Sequence, residues 1–304
     1  MKLNTTALTG AIAISFAAIL WGFDGIVLTP RLYNLNITYV VFMVHCIPFI
    51  ILNLFCYKAY KELAAFSKSD FIYLFLVALF GGALGTLAIV KALFLVNFQS
   101  LTVVVLLQKL QPLFAIILAA ILLKERLHKG FVLWASIAII ASYFLAFGFS
   151  LPDFNTGSRT TLAALFSLMA AISFGSATVF GKKILNRIDF TSATFFRYGL
   201  TSGIMLFIVL FAGTLNQIHV TTPMNWTILF LIAFTTGSGA LFLFYFGLRK
   251  VKAMIATICE LLFPVSAILF DYLFNGKVLS TIQWISAIIL LISIIKLSIR
   301  PNVD

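Results

Sequence analysis

The feature that most constrains this chain is a series of apolar runs, each about twenty residues long and almost free of charge. In chain order they fall near 8–28, 37–57, 70–91, 99–123, 130–149, 161–181, 191–213, 226–247, 253–273 and 281–299. A helix rises about 1.5 Å per residue, so each run can cross a hydrocarbon core of roughly 30 Å. The strands of a membrane barrel are shorter and alternate polar with apolar residues, which excludes that architecture. The sequence therefore predicts an all-α integral membrane protein with about ten transmembrane helices.

The composition agrees with a membrane interior rather than a soluble domain. Of 304 residues, 62% are hydrophobic and 10% are charged, whereas soluble domains carry about 25% charged residues. The net charge of +12 comes from short basic clusters between the apolar runs, so we expect no nucleic-acid partner. The three cysteines, Cys46, Cys56 and Cys259, lie in or beside apolar runs and indicate neither a disulfide framework nor a metal site.

The distribution of Lys and Arg predicts the orientation of the chain. If the N-terminus lies inside, fifteen of these residues fall in inner segments, and only Arg31, Arg159, Lys277 and the edge residue Lys91 fall outside. Cytoplasmic loops carry the excess of positive charge, so we expect both termini in the cytoplasm. The run at 8–28 has the length of a span and no suitable cleavage site, so we interpret it as a retained first helix rather than a signal peptide.

The two halves of the sequence match at a shift of 152 residues. This shift pairs Pro112 with Pro264 and Gln108 with Glu260. Each half has five spans, an odd number, so the second half must be inserted upside down. Matched loops should then have opposite charge bias, and the basic loop at 58–69 does match a loop at 214–225 that has no Lys or Arg.

This pattern predicts two inverted five-helix repeats, an architecture typical of secondary transporters. We expect the first repeat at 1–149 and the second at 161–304. The segment at 150–160 is rich in turn residues and predicts a periplasmic linker between them.

Polar side chains inside the spans are the candidates for a binding site. A charge at the centre of a span costs about 2.5–3.5 kcal/mol, so such residues usually face a cavity or a partner. The candidates for contact with a substrate are Trp21, Asp24, His45, Gln108, Lys109, Gln111, Arg197 and Glu260.

Glu260 and Lys109 are the sharpest of these candidates, because each precedes a proline in the middle of a span. Pro112 and Pro264 should kink their helices and free the backbone carbonyls of Gln108 and Glu260. Both charged residues lie near the membrane midplane, so we expect Lys109 and Glu260 to border one cavity from opposite halves. The alternative is a structural polar contact between helices.

The other charged candidates have alternatives of their own. Arg197 either faces the cavity or extends its side chain to the inner interface. His45 either binds substrate or packs as a histidine satisfied within the protein, and Asp24 either binds substrate or makes a polar contact at a helix end. The spacings Gly81-xxx-Gly85 and Gly199-xxx-Gly203 predict close helix approach.

Several stretches resemble one family of membrane proteins. They are Ala17-Ala-Ile-Leu-Trp21-Gly22, Leu110-Gln-Pro112-Leu-Phe-Ala115 leading into Leu122-Leu-Lys-Glu125-Arg126-Leu127, and Leu261-Leu-Phe-Pro264-Val-Ser-Ala267 leading into Gly276-Lys-Val-Leu279. Together they resemble the ten-helix EamA-type exporters of the drug/metabolite transporter superfamily, over nearly the whole chain. The motif that follows each proline usually contains Gly-Glu in the family. Here the first copy has Lys124-Glu125 and the second has Gly276-Lys277, so each copy keeps one of the two residues. The family also commonly has an Arg in the second span, where this chain has His45.

The resemblance implies a secondary active transporter that works by alternating access in the bacterial inner membrane. Its substrate would be a small polar metabolite, an amino acid or related zwitterion, to which the mixed charges of the candidate residues are suited. Relatives that exchange S-adenosylmethionine, nucleotides or sugar phosphates give an alternative. An intramembrane enzyme or a channel is a more remote one, since the sequence has neither the common catalytic motifs nor a selectivity filter.

The further expectations concern partners. We expect the lipid bilayer and a small-molecule substrate as partners, with no cofactor or metal ion, and a chain that is a monomer or a homodimer.

The charge bias leads to a test of topology. A reporter fused after Arg300 should be cytoplasmic, and one inserted near Asn155 should be periplasmic, since an odd number of spans separates the two sites. Enzymatic reporters specific to each compartment would measure this. Two reporters on the same side would show that the number of spans is wrong.

Overall fold

A computed structural model of the chain describes residues 5–96, 104, 107–127, 129–149, 158–276, 278 and 280–299. Over these residues every regular element is a helix. The α-helices are Thr5–Phe23, Ile37–Cys56, Lys68–Val77, Gly85–Leu95, Gln111–Leu122, Lys129–Phe147, Ser158–Leu185, Phe190–Phe211, Pro223–Ile232, Ser238–Lys250, Ala253–Cys259, Leu262–Asn275 and Thr281–Ile299.

These helices join into ten apolar segments in the order that the sequence predicts, and we number them span one to span ten. Seven of them are 22 to 29 residues long and are long and apolar enough to cross a membrane. They are Thr5–Leu32, Ile37–Ala65, Lys68–Leu95, Thr161–Leu185, Phe190–Phe211, Pro223–Lys250 and Ala253–Phe274. Three shorter apolar helices complete the set, at Gln111–Leu122, Lys129–Leu145 and Thr281–Leu297. The predicted all-α membrane fold is therefore confirmed. Most of the predicted linker, and the first residues of span four, lie outside the described residues.

The main contacts between spans join one half of the chain to the other. Span one packs against spans eight and nine, and span six packs in the same way against spans three and four. Span two packs against span seven, and span five against span ten. Each span of one repeat corresponds to the span five places away in the other repeat. When every span is replaced by its counterpart, the same set of packed pairs results, as a two-fold relation between repeats requires. The two halves are thus interlocked rather than packed as separate bodies.

Two glycines at equivalent places in the two repeats make equivalent close contacts. A Cβ on Gly22 of span one would lie 2.9 Å from the backbone N of Ala267 and 3.0 Å from the carbonyl O of Phe263. A Cβ on Gly175 of span six would lie 3.0 Å from the backbone N of Ala115 and 2.9 Å from the carbonyl O of Gln111. Both glycines let one helix touch the backbone of the helix that follows a mid-span break.

Spans one, three and eight each contain a π-helical segment. Residues Asp24–Leu28, Ala78–Leu84 and Ala233–Gly237 form π-helical turns. The second and third of these segments overlap when the shift of 152 residues is applied. Such turns are frequent at functional sites, because they re-aim side chains and loosen the backbone ladder. The apolar pattern of the sequence does not predict them.

The two predicted small-residue motifs differ in their packing. Gly81 lies against Ala177 and Arg197, and Gly199 lies against the ring of Phe49, as close helix approach requires. A Cβ on Gly203 would meet no heavy atom of the described residues within 4 Å, so this glycine takes no part in a close contact. The prediction for the second glycine of that motif is wrong, because this position faces away from the neighbouring helix.

The glycine contacts lead to a stability test. Gly22→Val and Gly175→Val should each lower the melting temperature of the purified protein, since overpacking against a fixed backbone costs about 1–3 kcal/mol. Gly203→Val is the matched control and should leave the melting temperature unchanged. Equal melting temperatures for all three variants would contradict the described packing of spans one and six.

Candidate functional site

The site begins with a break in span nine. The helix Ala253–Cys259 ends, and a new helix begins at Leu262. Between them Glu260 and Leu261 form a tight turn, in which the backbone N of Leu261 donates to the carbonyl of Ile258 at 3.1 Å. The expected kink near Pro264 is therefore a full break on its N-terminal side.

Span four breaks at the equivalent place. Lys109 and Leu110 form a turn, and the helix Gln111–Leu122 follows. The backbone N of Leu110 donates to the carbonyl of Leu107 at 3.1 Å, which is close to the turn in span nine under the 152-residue shift. Pro112 is thus placed in the first turn of a helix, where a proline costs no hydrogen bond.

The backbone carbonyl of Glu260 is not left free by Pro264, so that prediction is wrong. The sequence predicts that Pro264 frees the carbonyl of Glu260, but this carbonyl accepts a hydrogen bond from the backbone N of Phe263 at 2.9 Å. The turn is tight enough to reuse the acceptor, as it must where water is scarce. The polar character of the break therefore comes from side chains.

The Glu260 carboxylate lies at the centre of those side chains. Its Oε2 accepts a hydrogen bond from Gln111 Nε2 at 2.7 Å, and its Oε1 accepts one from Thr178 Oγ1 at 3.2 Å. The guanidinium of Arg197 also interacts with it electrostatically. Glu260 thus gathers partners from spans four, six and seven around the break in span nine.

Arg197 points into the protein, toward span eight. Its Nη1 donates to the hydroxyl of Tyr245 at 3.1 Å, and its guanidinium carbon lies 5.5 Å from the centre of the Tyr245 ring. A Cβ at Gly81 would lie only 2.8 Å from Arg197 Nη2, so the glycine makes room for the cation. Its Nε is buried without a hydrogen-bond partner among the described residues. Of the two alternatives for Arg197, the structure places it in the interior.

Aromatic rings form another wall of the same region. Trp21 of span one lies 5.4 Å from Phe244 of span eight, measured between ring centres. Phe244 is in turn 5.9 Å from Tyr245, the partner of Arg197. Part of the surface of Trp21, Gln111, Arg197 and Glu260 remains accessible, although all four lie within spans. We call this group, with Thr178, Phe244 and Tyr245, the central site.

Other predicted residues lie elsewhere. Lys109 donates from Nζ to the backbone carbonyl of Ser142 in span five at 2.9 Å, and not to the Glu260 carboxylate. Lys109 and Glu260 therefore occupy equivalent breaks but are directed differently, unlike the shared cavity that the sequence suggests. Gln108 is half-buried at the same break as Lys109.

His45 behaves as a packed histidine. It is 9% exposed, its Nδ1 lies 2.8 Å from the carbonyl O of Val41, and its ring is 5.7 Å from that of Tyr198. This geometry favours the packing alternative over substrate contact. Asp24 is also outside the central site. It begins the π-helical segment of span one and accepts a hydrogen bond from Thr29 Oγ1 at 3.2 Å.

Sequence reasoning missed Thr178, Phe244 and Tyr245 in the central site. A hydroxyl or an aromatic ring in an apolar run is common, so nothing in their type distinguishes them. Tyr245 could have been found only by asking which group faces Arg197 from another span. Among the described residues, no group of three or more His, Cys, Asp or Glu side chains could hold a metal ion.

A second polar cluster lies at the predicted inner end of the bundle. The Glu125 carboxylate accepts hydrogen bonds from the backbone N of Ala253 at 2.8 Å and of Met254 at 3.0 Å, at the start of span nine. Lys182 Nζ donates to the last carbonyls of span eight, those of Leu248 and Arg249, at 2.9 and 3.0 Å. Each charge thus lies at the helix end that favours it. Glu125 belongs to a family-like motif of the sequence, but the motif does not reveal its partner helix.

Known proteins share this architecture. The family model described as EamA-like transporter family matches residues 8–147 and 161–299. The riboflavin transporter ImpX of Fusobacterium nucleatum subsp. nucleatum is 53% identical over 290 residues, which cover 95% of this chain and 97% of that protein. A solved crystal structure superposes with a TM-score of 0.68 over 97% of this chain and 96% of its own, at 15% identity, which shows the shared fold.

The inner cluster leads to a further stability test. Glu125→Ala should lower the melting temperature, since removing an acceptor from a helix N-terminus costs about 0.5–2 kcal/mol. The melting temperature of Glu125→Gln should lie between those of the wild type and Glu125→Ala, because the amide keeps one acceptor and loses the charge. The exposed neighbour Arg126 provides the control variant Arg126→Ala. A Glu125→Ala protein as stable as this control would contradict the contact with span nine.

Proposed function

We propose, from the premise that the chain belongs to the EamA-like transporter family, that it carries riboflavin or a closely related flat heterocycle across the membrane. Membership makes it a multi-pass membrane transporter of small metabolites. The observation that carries the choice of substrate is the near full-length relative named as a riboflavin transporter, at 53% identity. The chemistry of the central site supports this choice.

The central site contains one acidic and one basic side chain. The acid is Glu260 and the base is Arg197, and each has hydrogen-bond partners within the protein, among Gln111, Thr178 and Tyr245. Such a site needs no charge from its substrate. Riboflavin is uncharged near neutral pH, so it fits a site of this kind. A sugar phosphate or S-adenosylmethionine would bring charge that the site does not offset.

The aromatic wall supports the same class of substrate. Riboflavin has a flat three-ring heterocycle and a chain bearing hydroxyls. The Trp21 and Phe244 rings offer an apolar surface on which such a ring can pack, and aromatic pairs contribute about 0.5–1.5 kcal/mol beyond area burial. Gln111 and Glu260 offer a donor and an acceptor for its polar edge. Polar groups placed beside an apolar wall are typical of small-molecule sites.

The amino-acid substrate expected from the sequence is not supported by the comparisons. That expectation assumes that Lys109, His45 and Asp24 join Arg197 and Glu260 in one mixed-charge site. The structure directs Lys109 to span five and His45 to its own helix. The residues left in the central site suit a neutral, polar aromatic compound better than a zwitterion.

The proposed mechanism is alternating access between the two interlocked repeats. The central site adjoins the breaks in spans four and nine, and in this mechanism it would lie at mid-membrane, as in other carriers built from inverted repeats. The contacts of Glu125 and Lys182 act on spans eight and nine at the predicted inner end. Opening that end requires these contacts to break, and closing it restores them. The proposed location is a bacterial cytoplasmic membrane with both termini inside.

A binding measurement tests the substrate. Purified protein titrated with riboflavin should quench flavin fluorescence in a saturable manner, while amino acids should not compete. Trp21→Ala should weaken riboflavin binding about tenfold, which corresponds to about 1.4 kcal/mol. Trp284→Ala removes a tryptophan that is 47% exposed in span ten and is the matched control.

Two results would contradict this proposal. One is a wild-type protein that folds but does not bind riboflavin. The other is equal affinity in the Trp21→Ala and Trp284→Ala variants, which would place the binding site away from the aromatic wall.

A further inference from the structure

Glu260 and Asp24 are acidic side chains that lie within spans, and their surroundings differ. Glu260 interacts with the cation Arg197 and accepts hydrogen bonds from Gln111 and Thr178. Asp24 accepts a hydrogen bond from the hydroxyl of Thr29 and forms no ion pair with any described residue. Neither acid belongs to an ion pair of the described residues, but Arg197 acts electrostatically on Glu260, whereas no cation acts in this way on Asp24.

Asp24 lies where the backbone of span one is loosened. It is the first residue of the π-helical segment Asp24–Leu28. The π-helical segment Ala233–Gly237 of span eight packs against the helix of span one that ends just before Asp24. It brings the Thr236 hydroxyl beside the Asp24 carboxylate. Thr236 is 1% exposed, and its hydroxyl makes no well-formed hydrogen bond to any described group.

These hydroxyls suit a carboxyl group that changes its protonation state. A hydroxyl can donate to a carboxylate, and after rotation it can accept from a carboxylic acid. The Thr29 and Thr236 hydroxyls therefore accommodate both forms of Asp24. At Glu260 the guanidinium of Arg197, which has no acceptor, favours the charged form instead.

The neighbouring elements do not provide a cation for Asp24. Residues 24–28 pack against the segment Thr29–Leu32, the second helix of span nine and the first helix of span eight. The ionisable groups on these elements are Arg31, Asp271 and Tyr272, and none of them forms an ion pair with Asp24. From span seven, Tyr198 also interacts electrostatically with Asp24, and it carries no positive charge.

An unpaired carboxylate is costly inside a membrane, so its charge must be neutralised when the site is closed to water. The proposed substrate is neutral and cannot do this. We propose that Asp24 carries the coupling proton of the transporter. Its carboxylate binds one proton from the aqueous side to which the site is open, crosses the closed state as the neutral acid, and releases the proton on the opposite side. This inference rests on the proposed function, and it assigns Asp24 to the proton rather than to riboflavin.

Transport in proteoliposomes tests the assignment. In wild-type vesicles, a pH gradient should drive riboflavin to unequal concentrations on the two sides. In Asp24→Asn vesicles the same gradient should leave the concentrations equal, while exchange of labelled for unlabelled riboflavin continues. Asp24→Glu should retain unequal accumulation. Asp189→Asn removes a half-exposed acid at the predicted inner surface and is the control.

A measurement on the wild-type protein alone keeps the test open if Asp24→Asn does not fold. Coupling to one proton requires riboflavin affinity to change with pH, by at most about tenfold per pH unit. A pH-independent affinity between about pH 5 and 8 would overturn the proposal.

The remaining outcomes are distinct. Gradient-driven accumulation in Asp24→Asn vesicles would overturn the role of Asp24. Wild-type transport that responds to a sodium gradient and not to pH, or to neither gradient, would overturn the proposal that a proton is the coupling ion. It would leave riboflavin as the substrate. Wild-type vesicles that move no riboflavin would contradict the proposed function itself, and this inference with it.

Discussion

The cost of an unpaired polar group in hydrocarbon is the constraint on which this structure depends. A helix can break inside a membrane only where protein side chains or tight turns satisfy the backbone. Spans four and nine break at Lys109–Leu110 and Glu260–Leu261, and both breaks are built as turns with their own hydrogen bonds. The Glu260 carboxylate at one break accepts hydrogen bonds from donors on two other spans and also interacts electrostatically with Arg197. The central site exists because this requirement gathers polar groups where the halves meet.

The packing of each repeat against the other determines which helices surround the central site. Span one touches spans eight and nine of the other half, and span six touches spans three and four in the same way. The close contacts of Gly22 and Gly175 tie these helices to the segments that follow the breaks. The walls of the site are therefore formed by helices that pack directly against the other half. The charges of Glu125 and Lys182 at the predicted inner end act on the same spans, eight and nine, that carry Tyr245 and Glu260.

Much of this fold could be predicted from the sequence, because the bilayer imposes a simple rule on length and polarity. The ten apolar runs and the two inverted repeats follow from that rule, and the kinks near Pro112 and Pro264 follow from the chemistry of proline. The choice of Glu260, Gln111 and Arg197 as polar residues in one region also rests on the cost of burying them. Each of these predictions needs only one residue or one segment and the properties of the bilayer, without any knowledge of which spans are neighbours.

What could not be predicted depends on contacts between spans. Depth alone pairs Lys109 with Glu260, but depth does not tell which neighbouring helix a side chain faces, and Lys109 reaches Ser142 instead. Thr178 and Tyr245 have no unusual type or spacing, and their role follows only from facing Glu260 and Arg197. The amino-acid substrate follows from a sum of charges that the fold separates. The π-helical turn at Asp24 leaves no signal in an apolar run.

Binding of riboflavin in the central site, between the two repeats, is the claim on which the proposed mechanism rests. Its most direct test is an experimental structure of the purified protein with riboflavin bound. We predict the flavin ring against Trp21 and Phe244, with its polar edge within hydrogen-bond distance of Gln111 or Glu260. A bound flavin at another place, with the central site filled by the protein's own side chains, would contradict the claim.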